Sequence, residues 1–515
     1  MKLIPIYTWT KGVEKLDKGT HKFLNRPWAS GVILLSCVIV AMILANLPAT
    51  RHLYHAFLET ELSIAIQSPI DAETGLRAID WVFPKDMTVE KFINDILMVV
   101  FFFTVGLEIK REVICGELSS VKKAMLPVIA AIGGMAVPAL IYMFVNNGSA
   151  AGSGWGIPTA TDIAFAIGIM SIFGNKVPVS LKVFLTALAI ADDLGAILVV
   201  AFFYGGDINL LLLSLSLLLL VFVYIMSRLG EKRMSFYLIP AIAVWFLFYY
   251  SGIHSTMSGV VMAFMIPMHA RFSKAYFDHK HKSYFHKLEE YEHCEGCEEE
   301  EFPNGPQRHC LRQISSNSIG MSYRLEHLLS PWVNYAIMPI FALANAGVEI
   351  PDLSYFNIFQ YSPELGSVGM GIFFGLVLGK PIGITLASFI AIKCKVGEMP
   401  AHASWKMLFA VACLGGIGFT MSIFVDTLSF GEQIPEITAQ LRSGGKIAVL
   451  MASLSAGILG SALISCFHKM EKKELIKGEL TELLDTYYNG SFPQMACEYI
   501  RATGMTKEEV EELLE

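Results

Sequence analysis

The sequence predicts an all-α protein that crosses a membrane many times, and two observations lead to this prediction. Of its 515 residues, 54% are hydrophobic and only 17% are charged, whereas about a quarter of the residues in a soluble domain are charged. Several apolar stretches also reach the roughly 20 residues that a helix needs to cross a bilayer. We therefore expect membrane lipids around the chain. Because the chain has no basic domain, we expect no nucleic-acid partner.

Twelve apolar segments follow one another along the chain, and each is predicted to be a transmembrane helix. They centre on approximately residues 29–47, 95–113, 125–146, 158–174, 180–204, 208–228, 236–251, 254–270, 331–348, 366–393, 405–428 and 446–467, and each can extend a few residues beyond these limits. Most of the basic residues near their ends fall on one side of a twelve-span arrangement, among them Lys110, Arg228, Arg271 and Lys469, and basic loops are typically cytoplasmic. The opposite loops are poor in Lys and Arg; residues 147–157, for example, carry no charge. We therefore expect both termini in the cytoplasm.

These spans divide the chain into five parts. A basic cytoplasmic arm covers 1–27, spans 1–8 cover 28–271, a charged cytoplasmic insertion covers 272–325, spans 9–12 cover 326–468, and a cytoplasmic tail covers 469–515. The run from Trp28 is longer than a signal-peptide core, so it is predicted to be retained as the first span. The first external segment, 48–92, is long and mixed, and we expect some strand in it. The tail is predicted to form short amphipathic helices.

Spans 4 and 11 are predicted to be broken helices. Span 4 contains Gly156, Pro158 and Asp162, and span 11 contains the run GGIG at 415–418. Glycine and polar residues weaken a continuous helix, and irregular backbone at membrane depth is tolerated only where it is buried in protein or lines a cavity. Spans 3–5 and 10–12 begin on opposite sides of the membrane, as an inverted repeat requires.

Four ionisable residues stand out within the predicted spans: Asp162, Asp192, Asp193 and Lys380. One carboxylate at the centre of a membrane helix costs about 2.5–3.5 kcal/mol on insertion scales, so adjacent carboxylates need a reason. Three acids and one base leave an excess of negative charge, which suits a cation site; a static salt bridge between helices is the alternative. Adjacent helical residues point about 100° apart, so one of Asp192 and Asp193 can face Lys380 while the other faces a water-filled funnel.

The chemistry of these groups favours exchange of small cations. Sodium and lithium are hard cations, and such ions prefer oxygen ligands. If protons and sodium compete for the same carboxylate oxygens, one site can exchange them, and either ion neutralises it for the inward–outward transition. Other readings are a proton-coupled transporter of another cation or a small solute, a passive channel, and an intramembrane aspartyl protease, whose Gly-x-Gly-Asp motif is absent. We expect no enzymatic activity and no cofactor.

Six motifs resemble those of the NhaA-type sodium/proton antiporters of bacteria, in family order over about 28–467. They are VGLEIKREV, TATDIAFAIG, LKVFLTALAIADDLGAI, RLEHLLSPWVNYAIMPIFALANAGV, GKPIGI and GGIGFTMSIF. The resemblance implies twelve spans, an inverted repeat, two crossing broken helices, and electrogenic, alkaline-activated exchange of internal Na⁺ or Li⁺ for external H⁺. It also implies a bacterial inner membrane and a possible homodimer through segment 48–92. Interrupted segments at matching places in two halves mark transporter binding sites, a rule of which this family is itself an example.

The resemblance also assigns roles to individual residues. It implies that Asp192 and Asp193 bind the Na⁺ ion, with Asp193 the more direct ligand and Thr161 a further oxygen donor. It implies that Lys380 is the partner of Asp192. Asp162 would offset the positive N-terminal ends of the two half-helices and Lys380 their negative C-terminal ends, since each helix end acts like roughly half a charge.

A second set of residues resembles the family's pH-responsive cluster. Glu108, Arg111 and Glu112 share one face at the cytoplasmic end of span 2, and the resemblance adds Glu326 and His327 at the start of span 9 and His254 near the external side. The family has another histidine three residues beyond His327, where this chain has Ser330. The alternative is an ordinary solvated ion-pair network at helix ends, with His254 a satisfied interface histidine.

The insertion at 272–325 carries a possible soft-metal site. His293, Cys294, Cys297 and Cys310 are ligand types that bind zinc, but their spacing matches no common zinc module and a run of glutamates adjoins them. A flexible charged loop is the competing interpretation. None of the nine cysteines lies in a predicted external loop, so a disulfide framework is not expected.

Overall fold

The computed structural model describes most of the predicted membrane part of the chain. The described residues are 28–62, 64–67, 80–83, 87–205, 208–229, 231, 233–268, 320–350, 359, 366–401, 403–430 and 435–487. The N-terminal arm, residues 272–319 of the insertion and the end of the tail lie outside them.

Helices make up nearly all of the described chain, and we number the α-helices in order. They are α1 (Ala29–Asn46), α2 (Arg51–Glu59), α3 (Val89–Cys115), α4 (Val121–Val145), α5 (Ile163–Ile172), α6 (Val179–Phe203), α7 (Leu210–Arg228), α8 (Ser235–Ser251), α9 (Met257–Met265), α10 (Met321–Asn345), α11 (Val368–Lys393), α12 (Trp405–Gly415), α13 (Phe419–Ser429) and α14 (Pro435–Tyr487). A 3₁₀ helix, Ala150–Thr159, precedes α5. Single π-helical turns interrupt α3, α10 and α11 at Ile93–Leu97, Val333–Ile337 and Gly375–Gly379.

The chain is not purely helical, because the segment between α2 and α3 contains a β-hairpin. Strands β1 (Ile64–Gln67) and β2 (Asp80–Phe83) pair antiparallel, with Ile64 opposite Phe83 and Gln67 opposite Asp80. These strands lie in segment 48–92, where some strand was expected, and the predicted all-α class holds for the apolar segments. In the chain, the hairpin falls between α2 and α3 and outside the long apolar helices. The membrane part of the described chain is therefore helical.

The apolar helices make this a multi-pass membrane protein. Eight helices are long and apolar enough to cross a bilayer, or ten if each of two bent helix pairs counts as one span. The apolar helix α8 has 17 residues, and α9 has only nine, where the sequence predicts a span over 254–270. At 1.5 Å per residue, α9 extends about 14 Å, less than half the hydrocarbon thickness. The count of twelve spans therefore stays a prediction.

Burial distinguishes the central helix from the peripheral ones. In α6, 61% of an 18-residue window is buried inside the protein, whereas in α7 the fraction is 17%. Leucines such as Leu217 and Leu218 on α7 are exposed, as expected for side chains that face lipid. The two adjacent aspartates thus lie on the most buried of the eight long apolar helices.

Close packing of α4 against α11 positions the helix that carries Lys380. A Cβ atom added to Gly133 would lie 2.5 Å from the carbonyl oxygen of Gly383, so only glycine allows this approach. Small residues let membrane helices come close together. The π-helical turn Gly375–Gly379 ends immediately before Lys380, and such turns are frequent at functional sites.

The last helix is longer than the sequence suggests. Helix α14 runs without a break from Pro435 to Tyr487, past residue 468, where the sequence places the end of the membrane part. The amphipathic helix predicted for the end of the tail lies outside the described residues. The five-part division of the chain remains a prediction.

Candidate functional site

Two interrupted helices meet at the centre of the molecule. The 3₁₀ helix Ala150–Thr159 and α5 are bent by 43° around residues 160–162, and α12 and α13 are bent by 47° around residues 416–418. Both breaks are sequence-encoded, by the polar run Thr159–Asp162 in one and by the glycine pair Gly416 and Gly418 in the other. Phe419 has a φ of +22°, which is rare for a bulky side chain, and its N–H donates to the hydroxyl of Ser453 at 3.0 Å.

Direct hydrogen bonds join the two breaks. The N–H of Asp162 donates to the carbonyl of Ile417 at 2.7 Å, and the hydroxyl of Thr161 lies 2.9 Å from the carbonyl oxygen of Gly415. The hydroxyl of Ser422 donates to the carbonyl of Ile157 at 2.8 Å. Backbone groups that each break leaves without a helical partner are therefore satisfied by the other break, as burial requires.

The carboxylate of Asp162 caps two helices at once. Its Oδ1 accepts from the N–H of Phe165 in α5 at 3.1 Å. Its Oδ2 accepts from the hydroxyl of Thr420 at 2.5 Å and from the N–H of Thr420 in α13 at 3.3 Å. Both helices begin here, so two positive helix ends face one buried negative charge. This geometry is what charge compensation by Asp162 requires.

Asp192, Lys380 and Thr161 form one buried cluster. The ammonium of Lys380 contacts both Oδ2 of Asp192 and the hydroxyl oxygen of Thr161. The side chains of Lys380 and Asp192 are 0% and 1% exposed. Thr161 Oγ1 also lies 2.5 Å from Asp192 Oδ2. A hydroxyl has a single hydrogen, so Thr161 can donate either to Asp192 or to Gly415, and it can switch between them.

Asp193 is buried beside this cluster with less support. Its side chain is 2% exposed, and its Oδ1 has no hydrogen-bond partner among the described residues; the same holds for Oδ1 of Asp192. The contact partners of the two neighbours therefore differ: Asp192 is held through Oδ2 by an ammonium and a hydroxyl, whereas no ammonium contact is found for Asp193 among the described residues.

The structure also shows buried polar residues that sequence reasoning missed. Thr420 lies inside the recognised motif GGIGFTMSIF but was not singled out, because its role depends on the approach of Asp162 from another helix. The count of four ionisable residues within spans was incomplete. Asp426 lies within the predicted span 11, and Asp95 and Lys446 lie at the first residues of the predicted spans 2 and 12, so a stricter count of charges would have found them.

A second group of charges surrounds Arg111, where α3 meets α10. The guanidinium lies 3.0 Å from Glu112, 3.4 Å from Glu326 and 4.0 Å from Glu108. We call these four residues the Arg111 cluster. Glu326 is buried, whereas Arg111 and Glu108 are about one-third exposed. The structure thus brings together four of the six residues that the sequence analysis grouped.

The two histidines of that group differ in their relation to the Arg111 cluster: His327 follows Glu326 on α10 and lies within electrostatic range of it, whereas His254 lies on another part of the chain. His327 is exposed, its ring stacks on Tyr323 with 3.8 Å between centroids, and its Nδ1 lies 3.1 Å from the carbonyl oxygen of Tyr323. His254 lies between α8 and α9, where Nδ1 is 2.8 Å from the hydroxyl of Thr256 and the ring meets Phe424 edge-on. Ser330 donates to the carbonyl of Glu326 at 2.7 Å.

The proposed soft-metal ligands His293, Cys294, Cys297 and Cys310 lie outside the described residues. Within the described ranges, no group of three or more His, Cys, Asp or Glu side chains could hold a metal ion. The five cysteines in those ranges are not in disulfides.

Comparison with known proteins places this geometry in a family. The family model described as Na⁺/H⁺ antiporter 1 matches residues 21–464. Proteins named Na(+)/H(+) antiporter NhaA are similar over almost their whole length. The relative from Pelagibacter ubique is 41% identical, covering 87% of this chain and 97% of the relative. The relative from Acidithiobacillus ferrooxidans is 42% identical, covering 88% and 98%. An Escherichia coli relative is 36% identical, covering 86% and 97%.

Among solved structures, the sodium proton antiporter MjNhaP1 from Methanocaldococcus jannaschii aligns with a TM-score of 0.43 at 13% identity, covering 74% of this chain and 85% of that one. That likeness is too weak to inform the fold of this chain. The family match and the full-length relatives are decisive: the chain belongs to the Na⁺/H⁺ antiporter 1 family.

Proposed function

We propose that this protein is a secondary active antiporter that exchanges Na⁺ or Li⁺ from the cytoplasm for external H⁺. Family membership supports the reaction. The observation that carries the mechanism is the pair Asp192–Asp193 on the enclosed helix α6, with Lys380 on Asp192 and an unpartnered Oδ1 on each carboxylate.

The proposed architecture has twelve spans arranged as an inverted repeat. Two sets of three helices support it: α4, the broken pair ending in α5, and α6; then α11, the broken pair α12–α13, and α14. The hydrogen bonds between the breaks support a crossing of the two interrupted spans at membrane depth. The proposal places both termini in the cytoplasm of a bacterium, in its inner membrane.

Ion exchange follows from competition for the same oxygens. Na⁺ binds to Asp193, Asp192 and the hydroxyl of Thr161, which are the oxygen ligands that a hard cation prefers. Protons bind to the same carboxylates. A bound ion on Asp192 weakens its attraction for Lys380, which is then free to move. The coupled carboxylates titrate as one set, and binding of either ion allows the transition between inward-open and outward-open states.

The charge count favours electrogenic exchange. Two adjacent carboxylates can accept two protons, whereas one Na⁺ ion uses the oxygens of both. A cycle that carries two protons in one direction and one Na⁺ ion in the other moves net charge. Asp162 remains buried and offsets the positive helix ends throughout.

The Arg111 cluster is proposed to regulate exchange by pH. Three carboxylates share one guanidinium at the junction of α3 and α10, so protonation of any of them changes the attraction between these helices. His327 and His254 are secondary candidates because neither touches the cluster. We also propose a homodimer, formed through the external segment that contains the β-hairpin.

Proton flux in proteoliposomes tests the proposed function. Addition of Na⁺ or Li⁺ to vesicles with an imposed pH difference is expected to dissipate that difference, and K⁺ is not. The Asp193→Asn variant is expected to lose the Na⁺ response, because an amide cannot release a proton. Sodium-dependent proton flux that persists in Asp193→Asn at the wild-type rate would show that the assignment is wrong.

A further inference from the structure

Asp426 is a second buried carboxylate, away from the central pair. It lies on α13, six residues after Thr420, which is about 9 Å along the helix axis from the crossing. The residue is 0% exposed, and neither of its carboxylate oxygens has a hydrogen-bond partner among the described residues. Asp162 in the same interface accepts three hydrogen bonds. Asp426 is therefore buried like Asp162 but is not held as Asp162 is.

Two cations on α14 face Asp426 without binding it directly. Arg442 and Lys446 are the basic groups that act on its charge. The Nη2 of Arg442 donates instead to the carbonyl of Phe430 at 2.9 Å, and Lys446 is also within range of Glu90. The charge of Asp426 is thus compensated at a distance, which leaves its oxygens open to another partner.

The remaining polar groups around Asp426 are already engaged. Tyr142 on α4 and Tyr204 at the end of α6 lie within electrostatic range of it, but their hydroxyls donate to the carbonyls of Ala151 and Ser153 at 2.9 and 2.7 Å. Ser429 donates to Val425 at 2.7 Å. His254 meets Phe424, two residues before Asp426. None of these groups supplies a hydrogen bond to the carboxylate.

A glycine on the facing helix provides the space that the carboxylate occupies. A Cβ atom added to Gly445 would overlap sterically with the Oδ1 of Asp426. A Cβ atom added to the adjacent Gly444 would have no atom within 4 Å. The carboxylate therefore occupies a recess in α14 that any larger residue at 445 would fill.

We propose that Asp426 is a second proton-binding site, on the part of the proton path between the external side and Asp192–Asp193. The distribution of basic residues places the end of α13 and the start of α14 outside. A carboxyl group in this position takes a proton from water on the external side and releases it toward the crossing. This inference rests on the proposed antiport function for its place in the cycle.

The groups around the recess favour a proton over a metal cation. The positive charges on Arg442 and Lys446 weaken the binding of any cation to Asp426, but a Na⁺ ion also needs several oxygen ligands, and no other side-chain oxygen in the described residues is hydrogen-bonded to this carboxylate. A proton needs one oxygen and forms a neutral carboxyl group. Buried carboxylates within membrane spans commonly act in proton relays.

The test measures exchange as a function of external pH at constant internal pH, in proteoliposomes with one orientation. In Asp426→Asn we expect the half-maximal external pH to move by about one unit or more, while the dependence on internal pH is unchanged. Gly445→Ala, which displaces the carboxylate, is expected to act in the same way. Gly444→Ala is the matched control in the same helix and is expected to behave as wild type.

Infrared difference spectra of the purified protein provide a readout that does not depend on transport. A protonated carboxyl band that appears as the pH is lowered is expected to be lost in Asp426→Asn, shifted in Gly445→Ala and retained in Gly444→Ala. Variants are first checked for a wild-type unfolding temperature. If folded Asp426→Asn and Gly445→Ala keep both the wild-type external pH dependence and the wild-type band, the proposal is overturned. If the wild type showed no sodium-dependent exchange, the antiport function would be wrong. The infrared spectra would still decide whether Asp426 binds a proton.

Discussion

The central crossing and the Arg111 cluster are built from the same kinds of residue but differ in burial. At the crossing, Lys380 and Asp192 are 0% and 1% exposed, and the Lys380 ammonium contacts both Asp192 and Thr161. In the Arg111 cluster, Arg111 is 32% exposed and its distances to three glutamates range from 3.0 to 4.0 Å. Charges act far more strongly on each other in a low-dielectric interior than near water.

This difference suggests a division of labour. A buried pair with few partners is suited to ion exchange, because in a low-dielectric interior each charge interacts strongly with a bound Na⁺ ion or proton. A partly exposed ion-pair network is suited to respond to pH and ionic strength, because protons and salt ions reach it. The predictions below test whether the two regions differ in this way.

The largest effect is expected for Lys380→Met. The substitution leaves Asp192 buried without its ammonium, and breaking a buried ion pair costs about 3–5 kcal/mol. Chemical unfolding in detergent measures the loss. The double variant Asp192→Asn/Lys380→Met is the control and should recover part of the stability, since contacting residues couple by about 0.5–3 kcal/mol. Equal losses for Lys380→Met and Arg111→Met would contradict the contrast.

A smaller loss is expected for Asp162→Ala. The change leaves the N–H groups of Phe165 and Thr420 without their acceptor, and a buried unsatisfied donor costs about 1–3 kcal/mol. Thr427→Val is the matched control on α13, because Thr427 bonds only within its own helix, to Phe424. Unfolding free energies should separate the two variants, and equal values would show that Asp162 does not join the two breaks.

The smallest change in stability is expected for Arg111→Gln. Exposed ion pairs contribute about 0–1 kcal/mol, and salt screens them. The free energies of unfolding of wild type and variant should therefore differ slightly at low salt and become equal at high salt. A loss of stability that is equally large at high salt would show that the ion pairs of Arg111 are shielded from solvent, like the pair Asp192–Lys380.

Regulation provides a further comparison between the regions. Replacing Glu108 and Glu326 together with glutamine should shift the pH at which exchange is half-maximal and leave the maximum rate largely intact, because both residues lie outside the ion site. Proton flux across a range of pH values measures this. A pH–rate profile identical to that of wild type would reject the regulatory role of the cluster.

The sequence predicted the membrane helices and the ionisable residues of the crossing from local features. The apolar runs, Gly416 and Gly418, and the pair Asp192–Asp193 are all visible in the linear chain. The resemblance implied that Asp162 offsets two helix ends, but the sequence could not identify Thr420 as its partner or Gly415 as the partner of Thr161, because these bonds join residues about 250 positions apart. Strand was expected in segment 48–92, but the pairing of Ile64–Gln67 with Asp80–Phe83 was not specified. The nine-residue α9 was missed because hydropathy does not reveal where an apolar run stops being helical.

Sodium binding and proton release, measured on the same sample, test most directly whether both ions compete for Asp192 and Asp193. Radioactive sodium and a pH indicator would be followed in weakly buffered detergent solution. We expect binding of Na⁺ to wild-type protein to release protons, and Asp193→Asn to bind less Na⁺ and release fewer. Saturable Na⁺ binding with no proton release at any pH would contradict competition for shared carboxylates.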